Sequence, residues 1–242
     1  MKNLFIFILL YILFSGTLFP QSKIQIEKQR SIYAKNNVKK EIITGSDENI
    51  SVSKYDKKGN VIETVNFTGK IKNNITTYTY YTDGTLKKQS YFGYQSGDGF
   101  EVFYFYDETG NVEKTKTIGS DDNETYYKYD AEGNITESKF TEPGNTESYV
   151  TRYVNLYENG RLISCENECT TGTESVTLTK YFYEGDMLNK EESYEKNCKS
   201  GSLNLNSVYK LTYFENGLIK ETSFDSYGSF TFVSNTYKYE FY

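Results

Sequence analysis

Over most of its length the chain alternates apolar and polar positions with a period of two, as in Val61-Ile62-Glu63-Thr64-Val65-Asn66-Phe67 and Leu218-Ile219-Lys220-Glu221-Thr222-Ser223-Phe224. Such alternation sends successive side chains to opposite faces and predicts strands with one buried face and one wet face. Aromatic residues crowd the stretches Thr77–Tyr81, Val102–Tyr106, Tyr126–Tyr129, Lys180–Tyr183 and Val208–Phe214. After residue 22 no segment carries apolar residues at helical spacing over three turns, so no helix is expected. The last stretch, Ser229–Tyr242, alternates through Phe230, Phe232, Tyr237, Tyr239 and Phe241 and reads as a capping strand paired into the sheet.

The strands are punctuated by a recurring phrase. It stands as Tyr55-Asp56-Lys57-Lys58-Gly59-Asn60, Tyr106-Asp107-Glu108-Thr109-Gly110-Asn111 and Tyr129-Asp130-Ala131-Glu132-Gly133-Asn134. A shorter form appears at Tyr81-Thr82-Asp83-Gly84, Tyr157-Glu158-Asn159-Gly160, Tyr183-Glu184-Gly185 and Phe214-Glu215-Asn216-Gly217. Seven glycines, Gly59, Gly84, Gly110, Gly133, Gly160, Gly185 and Gly217, thus mark seven units spaced 23 to 32 residues apart. An eighth copy, Tyr33–Glu41, aligns with Phe214–Glu221 and puts Asn37 near the glycine position, where Asn tolerates positive φ.

Tight reversals between antiparallel strands need positive φ, and the Asp of the longer phrase can accept from backbone N–H groups two residues on. Each copy is therefore a hairpin, and a lone hairpin cannot bury its apolar side. The expected fold is all-β: about eight antiparallel hairpin units in a meander, forming an elongated or solenoid-like sheet over residues 23–242. The exposed ends of such a sheet would invite strand addition and self-association through sheet edges.

These phrases resemble the YD repeats of RHS-type bacterial surface proteins, and the shorter copies are similar to MORN-like variant repeats. The resemblance covers roughly residues 31–224. It implies an extracytoplasmic binding or scaffold module that contacts carbohydrate or a surface protein. MORN-like variants imply an alternative, an immunity or antitoxin-like protein that binds a toxin. The chain is far smaller than an RHS shell, and the enclosing cocoon of that family is not carried over.

Met1-Lys2-Asn3 followed by the apolar run Leu4–Phe14 and small or turn-forming residues has the layout of a secretory signal peptide over residues 1–22. The run is too short to span a bilayer, which takes about 17 to 25 residues, and no later segment approaches that length. Without residues 1–22 the chain carries 26 basic and 33 acidic residues, which disfavours a nucleic-acid partner. The composition, 25 Tyr and 16 Phe with no Trp and no His, again favours strands.

Lacking His, the chain has no Ser-His-Asp triad or Cys-His dyad, and most zinc sites are excluded. Asp56, Asp107, Asp130, Glu158 and Glu184 all sit in repeated turns, where capping accounts for them. The protein is therefore expected not to be an enzyme and to need no cofactor or metal. Three cysteines in a secreted chain suggest one disulfide. Cys169 lies 14 residues before Tyr183 and Cys198 lies 15 before Tyr213, so the two occupy equivalent loops of adjacent units and are expected to pair, with Cys165 free or buried. Three reduced cysteines, or a pair involving Cys165, are the alternatives. Tyr78, Tyr80, Tyr104, Tyr106, Tyr127 and Tyr129 form an aromatic ladder that either packs as core or, where exposed, offers platforms for a ligand.

Overall fold

The computed structural model describes residues 23–46, 48–119, 122–144, 148–227 and 231–242. Residues 1–22, and with them the expected signal peptide, lie outside the described set, as do Ser229 and Phe230 of the expected capping strand. One helix, α1 (Lys23–Lys35), precedes the strands β1 (Val38–Gly45), β2 (Asn49–Tyr55), β3 (Val61–Thr68), β4 (Ile71–Tyr80) and β5 (Leu86–Gly93). Next come β6 (Gly99–Tyr106), β7 (Val112–Ile118), β8 (Asn123–Tyr129), β9 (Ile135–Thr141), β10 (Ser148–Glu158) and β11 (Arg161–Asn167). The last five are β12 (Ser175–Glu184), β13 (Met187–Asn197), β14 (Leu203–Tyr213), β15 (Ile219–Ser226) and β16 (Thr231–Phe241).

Each strand pairs antiparallel with its sequence neighbours, and β16 pairs with β1, so the sheet closes into a barrel of sixteen strands. The expectation of an open or solenoid-like sheet is thereby corrected: the fold is all-β in its sheet, but the sheet is a ring. Closure follows from the first unit being half a hairpin. Its incoming strand is absent, and β16 supplies it across the whole chain, with Tyr242 N–H donating to the Asn37 carbonyl at 2.9 Å as Asp56 N–H donates to Asn60 within a true turn. A closed ring also leaves no free edge among the described strands, so self-association through sheet edges loses its structural basis.

The turns build the ring's regularity. In the longer phrase the Asp carbonyl accepts from the Gly N–H, at 3.0 Å for Asp56 and Gly59, while the Asp carboxylate accepts from the next two available N–H groups. All seven repeat glycines have positive φ, between 58° and 90°, and Asn37 has φ 52°. In seven hairpins the register slips by one residue at the tyrosine before the turn, from Tyr55 to Tyr213. A bulge at a fixed place bends each hairpin in the same sense, and repeated bending curls a sheet toward closure.

Helix α1 was not foreseen. It is rich in good helix formers but has no continuous apolar stripe, and it ends at Asn36 and Asn37, the latter in the left-handed conformation. It lies across the repeat-turn end of the barrel. Lys28 donates to Asp186 O, Arg30 to Gly84 O and Asn36 to Asn216 O, three turns spread along the rim. Gly59 is pressed against the helix so closely that a Cβ there would run into the Arg30 carbonyl. Tyr33, Val38 and Leu218 pack as a small apolar core beneath it.

Candidate binding interior

Strand register assigns the two faces of the wall. One face carries Ser53, Thr64, Asn74, Gln89, Tyr104, Thr222 and Asn235, all buried. The other carries cross-strand ion pairs: Lys54 with Glu63, Lys88 with Glu101, Lys128 and Arg152 with Glu137, and Lys196 with Glu166. The first face is the interior and the second the outer wall. Apart from Arg152, these charged residues stand within two residues of a strand end. No helix among the described residues is long and apolar enough to cross a membrane.

The interior is lined by tyrosines in a repeated bonding pattern. The tyrosine that closes one hairpin donates its hydroxyl to the backbone carbonyl paired with the corresponding tyrosine of the hairpin before it. Tyr80 donates to Val61 O at 2.6 Å, Tyr106 to Leu86 O at 2.7 Å, Tyr129 to Val112 O at 3.0 Å, Tyr183 to Leu162 O at 2.9 Å, Tyr213 to Leu188 O at 2.7 Å and Tyr239 to Ile219 O at 2.9 Å. Burial pushes these hydroxyls well above the ordinary tyrosine range at Tyr80, Tyr106, Tyr129 and Tyr239. Each bond ties neighbouring hairpins together at the bulge.

Two places depart from the pattern. At the seam the slot is filled by the buried carboxylate of Glu41, which accepts from Tyr55 at 3.0 Å and from Tyr33 of α1 at 2.6 Å. Burial raises the Glu41 pKa, and hydrogen bonds from Tyr33, Tyr55 and Tyr239 oppose that rise. At Tyr157 the hydroxyl donates instead to Asp130, which also accepts from Asn155, while Asn155 donates to the vacated Ile135 carbonyl at 3.1 Å.

Of the six tyrosines proposed as platforms, all face the interior. Tyr80, Tyr106 and Tyr129 spend their hydroxyls on hairpin carbonyls, Tyr104 donates to Gln89 at 3.0 Å, and Tyr127 shares a longer contact of 3.4 Å with Thr115. Tyr78 lies near enough to Tyr80 and Tyr104 to add to the rise that burial gives their pKa values. They form no outward aromatic face. Large apolar side chains do stand outside on β10, at Val150, Val154 and Leu156.

Cys169 and Cys198 are joined by a disulfide that ties the β11–β12 loop to the β13–β14 loop, at the end of the barrel away from α1. Cys165 is free and half-buried on the interior face, with its thiol pushed up to about 11 by burial and by the charge of Asp130. Among the described residues no group of three or more His, Cys, Asp or Glu is placed to hold a metal ion.

Sequence reasoning missed the interior carboxylates. Glu191 on β13 stands directly opposite Tyr181 of β12 and Tyr209 of β14. Burial holds its carboxyl up to about 7. Once the strand register is known, alternation from Tyr183 through the bulge puts Glu191 inside, but the chain alone marks it only as one charge in the run Lys190-Glu191-Glu192.

The chain's sequence matches no known protein family and no curated protein. Among solved structures it is similar to the TcdB2-TccC3-Cdc42 complex, with 12% identity over 77% of this chain and TM-score 0.27. A porin-like protein from Bacteroides uniformis shares 9% identity over 85% of this chain and 97% of its own, with TM-score 0.39. The Photorhabdus luminescens Tc holotoxin pore shares 12% identity over 77% of this chain, with TM-score 0.27. The chain spans 14% of the length of each of the two toxin chains. The neighbours thus include a Tc toxin and a porin-like protein, and the fold rests on the strand register itself.

Proposed function

We infer that this protein is a non-catalytic, extracytoplasmic binding barrel whose tyrosine-lined interior is the compartment that receives a ligand, with carbohydrate the leading class. The observation that carries the reading is the direction of the tyrosine ladder. Sixteen strands at the usual spacing and tilt make a ring about 100 Å around, large enough to enclose more than its own side chains. Rings with polar edges are the surfaces on which sugars stack and hydrogen-bond. The disulfide suits an oxidising compartment, as does the leader-like sequence of residues 1–22.

A glycan array probed with the disulfide-bonded protein tests this, run beside Tyr78→Ala as an interior variant and Phe105→Ser as an outer-wall variant, both checked for folding by circular dichroism. Binding lost in Tyr78→Ala and kept in Phe105→Ser supports the interior. The opposite pattern moves the site to the wall, and no binding at all removes carbohydrate. A second reading, contact with a surface protein, is favoured by Val150, Val154 and Leu156, exposed together on β10. Its test is loss of the partner in a pull-down with Val154→Glu. The immunity-like alternative calls for a compact acidic patch, whereas the outward Glu63, Glu101, Glu124 and Glu137 are each paired with a base across a strand.

A further inference from the structure

The interior around Glu191 is built unlike the rest of the wall. Tyr181 and Tyr209 flank Glu191 directly, and its charge also raises the pKa of Tyr183 and Tyr213. Tyr183 and Tyr213 are fixed by their carbonyl bonds, which presents the rings in a set position. Among the described residues Glu191 accepts no hydrogen bond and joins no ion pair. Two residues away on the same strand, the Asn189 Oδ1 is buried and has no donor either. The site therefore holds two acceptors without a donor, whereas the interior carboxylate of Glu41 takes hydroxyls from Tyr33 and Tyr55.

A buried amide oxygen ordinarily has a donor, so the Asn189 Oδ1 beside a carboxylate with no partner leaves room for an N–H group or positive charge. Arg161 stands over the Tyr183 ring at 5.7 Å from its centroid, but it donates to Gly185 O and is paired with Asp186, and it makes no ion pair with Glu191. A depression of about 300 Å³ reaches Tyr181 from the β10–β11 turn, lined also by Glu158, Asn159, Arg161, Ile163 and Tyr183. Phenol rings around a carboxylate match an organic cation on two counts, cation–π attraction and a counter-ion. We propose that the cluster of Glu191, Asn189, Tyr181 and Tyr209 is a binding site for an organic ammonium group, carried either by a quaternary amine or by an amino sugar. The inference deepens the reading of the barrel interior as the binding compartment and rests on it.

The test is calorimetric titration of the full protein, disulfide intact, with choline, glucosamine and N-acetylglucosamine at constant ionic strength. Choline and glucosamine bind, N-acetylglucosamine binds at least tenfold more weakly, and Glu191→Gln weakens choline at least tenfold. Choline alone binding assigns a quaternary amine, and glucosamine alone an amino sugar. Asn189→Asp adds a second carboxylate to the same face and tightens choline, so the proposal remains testable if Glu191→Gln folds poorly. Equal binding of N-acetylglucosamine and glucosamine would overturn the ammonium site while leaving the carbohydrate reading standing. Choline binding unchanged in Glu191→Gln, or no binding of either amine to the folded protein, overturns it as well.

Discussion

Replacing Tyr106 with Phe removes one hydroxyl from the ring of hairpin bonds and leaves the aromatic packing in place. The lost bond is short, 2.7 Å to Leu86 O, and half-buried, so the carbonyl it leaves behind is only partly reached by water. A neutral hydrogen bond of this kind contributes about 1 kcal/mol net, and an acceptor left buried raises the loss toward 2. For a chain of this size 1 kcal/mol corresponds to about 2–4 °C in the unfolding midpoint. Tyr183→Phe removes the equivalent bond three hairpins away, and the two losses should add, because sites this far apart share no partner. Urea unfolding with fluorescence and far-UV readout measures both single variants and the double. Tyr227→Phe, at an exposed tyrosine, is the control and should stay within about 0.5 kcal/mol of wild type. A Tyr106→Phe protein as stable as the control would refute the idea that the hydroxyls hold hairpin to hairpin.

Other outcomes follow from the same geometry. Because burial holds the Tyr80, Tyr106 and Tyr129 hydroxyls above the ordinary range, their stabilising effect is complete below the unfolded tyrosine value of about 10 and is lost as pH rises beyond it; phenolate absorbance should therefore appear together with loss of the β-sheet circular dichroism signal. Glu191, held up to about 7, gives stability that is full below about pH 4 and declines as pH rises to 7, so Glu191→Gln should flatten that decline and at pH 8 be more stable than wild type by up to about 3 kcal/mol in urea unfolding. Changing Cys169 and Cys198 together to Ser opens a loop with a sequence separation of 29 and should cost about 3–4 kcal/mol, read as the midpoint shift relative to the oxidised protein. Gly59→Ala should destabilise more than Gly160→Ala, because both glycines have positive φ but only Gly59 also meets the helix; limited proteolysis should cut α1 first in the Gly59 variant.

The turns and strands were legible because their physics is local. Asp56, Gly59 and Asn60 carry the reversal within six residues, and the alternation in Val61–Phe67 states its faces directly. Closure was not legible, since an open meander and a ring show the same alternation and the same turns. What separates them is one pairing across the whole chain, between β1 and β16. Helix α1 escaped notice for a different reason: its contacts with Gly59, Gly84 and Asn216 are polar or backbone contacts, and its apolar contact is concentrated at Ile32 and Tyr33, too short a patch to read as a stripe. The tyrosine ladder was visible as composition, but whether its rings faced in or out depends on which face of the sheet curls inward.

That last choice has a physical cause in the repeat itself. The tyrosine before each turn sits at the bulge, and its ring reaches back under the preceding hairpin to that hairpin's own bulge carbonyl. A side chain that bridges two hairpins on one face draws that face together, so the face bearing the tyrosines becomes the concave one. Repeated around the ring, with Glu41 standing in for the carbonyl where the first unit has no incoming strand, the same contact both curves the sheet and joins its ends. The seam depends on a carboxylate because a half hairpin offers no bulge carbonyl at that point. The one hairpin that drops the carbonyl bond, at Tyr157, replaces it with Asp130 and Asn155, which keeps the hairpins tied while leaving the Asn155 Oδ1 without a donor. Interior polar groups left without a donor among the described residues, at Asn155, Asn189, Asn235 and Glu191, are therefore positions where the barrel has bonding capacity to give to a ligand.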